Sequence, residues 1–174
     1  MKWNLAIIGL VVFLVSCSEK KNNIELKSLL VEQLKNTHTD QNWFVPTKNA
    51  IKGLSAEQSN WKDDTENHSI GELVSHLTFW NEMNLRAFKG EDMSGFEVNN
   101  ETTFKKYTND EWKSLVNKLA SIQTEWERLT ENATDKQLTE WSTEIVNMTA
   151  HNAYHTGQII YIRKRNGWWK KSKK

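Results

Sequence analysis

The stretch MTAHNAYHTGQIIYIRKRNGW, residues 148–168, sets two histidines four residues apart in a segment with helical patterning. Residues at that separation share one face of a helix, about 6 Å apart at Cβ. The stripe through His151 and His155 continues from Met148 to Gln158 or Ile159 and on to Ile162, so it faces inward, and Gly167 supplies a left-handed stop. A buried neutral imidazole needs partners for its ring nitrogens. A divalent metal meets that need, and so does a hydrogen-bonded place in a core; the spacing alone leaves both open.

Outward from this helix, over residues 143–166, the apolar residues upstream also recur at three and four rather than two. Ile24, Leu26, Leu29, Leu30 and Leu34 mark a first helix, interrupted near NTHTDQNW, residues 36–43. Pro46 suits the first turn of a short helix toward Gly53. Four capping boxes follow, Ser55 with Gln58, Ser69 with Glu72, Thr108 with Glu111 and Thr134 with Gln137. The second long helix is expected over 70–89, closed by Gly90, and the third over 110–130 through Trp112, Leu115, Leu119, Ile122, Trp126 and Leu129. Residues 91–107 form a polar connection without strand alternation. The expected fold is all-α, a four-helix bundle with short auxiliary helices over residues 24–167.

Composition agrees with one packed domain: 174 residues, nine tryptophans and a single proline. Lysine and arginine number 23 against 22 acidic residues, a balance that gives no sign of a nucleic-acid partner. The start, MKWNLAIIGLVVFLVSC, has a lysine, a short apolar run and a small residue before Cys17, which is the pattern of a secretory signal. Its ending LVSC resembles the bacterial lipobox, which would make Cys17 the lipid-modified first residue of the mature chain and residues 18–23 a tether. The expected location is the extracytoplasmic side of a membrane in a bacterial envelope, with the lipid as anchor. With Cys17 the single cysteine, the mature domain has no disulfide. The tail, residues 168–174, joins Trp168 and Trp169 to basic residues; it either lies on an anionic membrane or folds back on the bundle.

A third histidine stands in SIGELVSHLTFWNEM, residues 69–83, where Leu73, His76, Trp80 and Met83 form one stripe. His76 is the polar member of that stripe, and a bundle can bring it against the middle of the last helix. His38 and His68 read as surface or helix-entry residues, and Trp80 as core.

Residues 69–82 with 151–164, and the segments LLVEQL, AIKGLSAEQSNW and YTNDEWKSLVNKL, resemble the DinB-like superfamily over nearly the whole mature chain. The resemblance implies a four-helix bundle, often a homodimer, with a three-histidine metal site at His76, His151 and His155. It implies one divalent transition metal, zinc, nickel, iron or manganese, since three neutral nitrogens select weakly among them. An open position on such a metal makes hydrolysis chemically possible, and the resemblance implies transfer of a low-molecular-weight thiol to a small molecule. The non-enzymatic alternative is a helical module stabilised by metal or binding a ligand. In the zinc-peptidase motif H-E-x-x-H a glutamate follows the first histidine as general base; here that neighbour is Asn152, which cannot take a proton. Glu72 reads first as a helix cap and second as a residue that orients His76; Glu144, two turns before His151 on a similar face, reads equally as a site residue or as solvated, and Tyr154 and Gln158 as hydrogen-bonding partners near the metal. No catalytic residue beyond the ligands is assigned.

Overall fold

The computed structural model describes residues 24–169; the expected signal segment with Cys17, the tether and the last five residues lie outside them. Among the described residues, four long helices and two short ones build the domain. Helix α1 occupies 24–38, α2 Thr47–Ile51, α3 Ala56–Asn60, α4 Ile70–Phe88, α5 Asn109–Glu131 and α6 Asp135–Arg165, and a 3-10 turn, Asn100–Thr103, lies in the α4–α5 connection. No strand occurs among the described residues.

The predicted caps set most of these boundaries. Each box pairs a Glu or Gln with the cap backbone, and at α3, α4 and α6 the cap hydroxyl accepts from the backbone three residues on, as Ser69 does from Glu72, whereas the Thr108 hydroxyl donates to Glu111. Gly90 and Gly167, at φ +87° and +70°, take the left-handed conformation that closes α4 and α6. Two boundaries differ from expectation. Helix α6 begins directly at the Thr134 cap, eight residues before 143, because no proline interrupts the segment and the buried stripe already runs through Leu138 and Ile145. Helix α1 continues through Thr37, whose hydroxyl donates to the Leu34 carbonyl, and ends at His38. His38 is therefore a buried helical residue, not a surface one: its Nδ1 lies 2.6 Å from Glu127 Oε1 on α5.

Packing divides along the bundle axis. One apolar cluster joins Ile51, Leu54, Leu73, Leu77, Trp112 and Ile159; the other joins Leu30, Leu85, Phe88, Trp126, Ile145 and Met148. Along α4 the change falls between Leu77 and Leu85, and along α6 between Met148 and Ile159. The buried residues between them are polar. Asn81, wholly buried, donates to Asn152 Oδ1 at 2.8 Å and accepts from Asn152 Nδ2 at 3.1 Å. The Asn81 carbonyl also accepts the Trp126 indole N–H at 3.0 Å. In the same layer Thr156 meets Thr47 at 2.8 Å, which docks α2 on α6. The helices thus carry a polar waist between two apolar ends, and Asn81, Asn152, Thr47 and Thr156 persist there because each is paired.

The two described residues of the tail, Trp168 and Trp169, fold back on the bundle. Trp168 meets Trp61 edge to face at 5.9 Å, and Arg163 lies over the Trp169 ring at 5.0 Å. No helix among the described residues is long and apolar enough to cross a membrane.

Candidate metal centre

Three imidazoles converge in the waist. His76 comes from α4, and His151 and His155 come from successive turns of α6. His151 Nε2 stands 3.0 Å from His76 Nε2 and 3.0 Å from His155 Nε2, and one ligand nitrogen from each ring lies within 4.8 Å of the others. Zinc–nitrogen bonds of about 2.0–2.1 Å place two tetrahedral ligand nitrogens about 3.3 Å apart. The group could hold a metal ion, and among the described residues it includes no fourth His, Cys, Asp or Glu.

The outer nitrogens fix which lone pairs point inward. Thr103 Oγ1 uses its proton on the Asn100 carbonyl at 2.6 Å, so it accepts from His76 Nδ1–H at 2.7 Å. That leaves His76 Nε2 without a proton. Gln158 Oε1 likewise accepts from His155 Nδ1–H at 2.6 Å. Two bare lone pairs therefore face His151 Nε2, which has one hydrogen at most to offer. A shared cation satisfies all three nitrogens at once, which is the donor chemistry of a divalent site with its supporting hydrogen bonds.

Electrostatics favour the neutral rings that a metal requires. Burial first, then the neighbouring imidazoles of His151 and His155, push His76 down to about 3. Burial and then His155 lower His151 to about 4. Burial also lowers His155, against the opposing effect of its Gln158 hydrogen bond. At pH 6, three histidines of ordinary pKa, about 6.5, would release about two protons on binding a divalent ion. Here clearly fewer should be released, because His76 and His151 are already neutral at that pH, a difference that calorimetry in buffers of unlike ionisation enthalpy reads directly. The folded state keeps these rings neutral while the unfolded chain takes up protons below about pH 6.5. Stability of the metal-free protein should accordingly be complete above that pH and fall progressively toward pH 4.

Surrounding residues divide between support and access. Phe104 is stacked between His68 and His76, at 3.6 and 4.2 Å, and so anchors the α4–α5 connection over the triad. Glu72 does not orient His76; its Oε2 is taken by the Ser69 backbone at 2.7 Å and by Lys62 at 3.2 Å. Trp80 is half-buried rather than core, and donates to Asn100 Oδ1 at 3.2 Å on the rim of a groove. This groove, about 470 Å³, is lined by His76, His151, Asn147 and Glu144 among others. Gln158 and Tyr154, 3.4 Å apart, line a second cavity of about 460 Å³ with Trp61 and Tyr161. Asn152 turns away from the triad to pair with Asn81. Thr103 and Phe104 were invisible to periodicity, since neither sits in a patterned segment.

A family model described as the DinB superfamily matches residues 39–159, a span that contains all three histidines. The chain belongs to the DinB superfamily. No curated protein and no solved structure matches it. In this DinB-superfamily chain, Thr103→Val should weaken metal binding about 10- to 100-fold, the usual cost of losing an outer hydrogen bond to a ligating histidine. Thr103→Ser should restore it; equal affinity in all three proteins, measured by competition with a chromophoric chelator, would refute the supporting role.

Proposed function

We propose that this DinB-superfamily protein is a metal-dependent enzyme held at a bacterial membrane by a lipid on Cys17, acting outside the cytoplasm on a small molecule. His76, His151 and His155 would hold one divalent ion, zinc, nickel, iron or manganese. The observation that carries the reading is access: His76 and His151 line an open groove, and the cluster lacks a fourth protein ligand among the described residues. A structural site would be closed, whereas a catalytic one keeps a position for substrate or water.

When bound, such an ion supplies Lewis-acid polarisation and lowers the pKa of a coordinated water or thiol. The chain's own residues prepare that position. Thr103 and Gln158 hold the inward lone pairs, and Trp80, Asn100 and Asn147 shape the groove that admits substrate. Glu144 is the one carboxylate lining the groove, and it is the proton acceptor available there besides the imidazoles. Hydrolysis of an ester or amide, or transfer of a small thiol to an electrophile, uses this set of parts.

Two measurements test the reading. Manganese-loaded protein should enhance water-proton relaxation, showing an exchangeable position. Zinc- or nickel-loaded protein should turn over a panel of small esters and amides or of electrophiles offered with a small thiol, and Asn147→Trp should block turnover with the metal retained. A loaded protein with neither relaxation enhancement nor turnover is a metal-stabilised module instead. For the anchor, a fatty-acid analogue fed to cells should label the wild type and leave Cys17→Ser unlabelled; labelling of both removes Cys17 as the lipid site.

A further inference from the structure

A separate cavity of about 390 Å³ opens between α5 and the α2–α3 segment. Ile51, Leu54, Val116 and Leu119 give it an apolar floor. Lys48, Lys52 and Lys113 stand exposed among its lining residues, and none of the lining residues is acidic. None of these lysines pairs with a carboxylate among the described residues, unlike Lys62, Lys89, Lys118 and Lys136. The lining also includes Gln123, only 5% exposed, whose amide nitrogen is buried without a hydrogen-bond partner.

These features have a shared chemistry. A buried donor without a partner is destabilising, and an incoming acceptor oxygen recovers that loss. Unpaired lysines around an apolar floor favour an anion with an apolar body. Lys113 and Gln123 are ten residues apart on α5, so this wall runs about 15 Å and suits an elongated molecule. We propose that the cavity binds a small amphiphilic anion, with a carboxylate or phosphate-ester head at Lys52 and Lys113, an apolar stem along the floor and an acceptor oxygen toward Gln123. The site shares no lining residue with the groove at the triad, so it stands independently of the proposed reaction.

Titration calorimetry with the purified protein tests it, using 10-hydroxydecanoate, decanoate, decyl phosphate and decanol below their aggregation limits. Saturable one-to-one binding is expected for the three anions and not for decanol. The exposed-residue double variant Lys52→Glu with Lys113→Glu should bind at least about ten-fold more weakly, the loss of one charge-assisted contact or more. Its melting temperature should match the wild type, which separates lost binding from lost folding. Gln123→Leu should erase the advantage of 10-hydroxydecanoate over decanoate. Absence of saturable binding, equal affinity in the lysine variant, or equal binding of decanol would overturn the site; equal affinity of the wild type for the hydroxylated and plain acids would overturn the Gln123 contact.

Discussion

His151→Ala should abolish metal retention: wild-type protein purified without added metal is expected to carry about one divalent ion per chain, and the variant only background. His151 is the hub of the triad, because its Nε2 lies 3.0 Å from both other Nε2 atoms while no 3.0 Å contact joins the outer two. Its removal leaves two nitrogens from different helices, too few to complete a site. The side chain is half-exposed on the groove, so the bundle should tolerate the change. Elemental analysis of both proteins, with circular dichroism to verify folding, reads the outcome. Equal, negligible metal in the two would remove the site altogether.

Much of this centre was legible because its parts are local or periodic. The pair at 151 and 155 shares a face by helical geometry, and His76 stood out as the polar member of an apolar stripe. Capping boxes were legible for the same reason, as each acts within three residues. What escaped detection depends on contacts remote in sequence. Thr103 reaches His76 from 27 residues away, in a connection with no periodic pattern. His38 was obscured by the polar run 36–43; its partner, Glu127, is 89 residues distant. The early start of α6 was readable in principle from the Thr134 cap and Leu138, but exposed residues between Leu138 and Ile145 weaken the stripe there.

Asn152→Asp should cost roughly 3 kcal/mol of stability, as expected when a buried, fully paired polar group becomes an unpaired charge. Asn152 is 1% exposed and its Nδ2 donates to Asn81 Oδ1 at 3.1 Å. Aspartate puts an oxygen there, so two acceptors face each other with no proton between them. Burial raises the pKa of such a carboxyl in the folded state above its unfolded value. The penalty is then absent below the unfolded pKa and grows as pH rises through the folded one. Urea denaturation of chelator-treated wild type and variant should show a large difference at pH 7 that narrows toward pH 4. A difference that does not change with pH would mean the loss is steric. The position that holds the general base in the H-E-x-x-H motif is, in this chain, a strut of the fold.

The same amide pair also reads axial position. Sliding α6 along α4 by one turn, about 5.4 Å, would bring Met148 or Thr156 opposite Asn81 in place of Asn152. Neither can return both hydrogen bonds that Asn152 makes, so every slipped alignment leaves a buried amide unanswered. The two apolar clusters alone would discriminate poorly among such alignments, since one aliphatic contact substitutes readily for another. Asn81 and Asn152 therefore act as a vernier mark: by locking the helices in one alignment, they decide that His151 and His155, and no other turn of α6, arrive at His76.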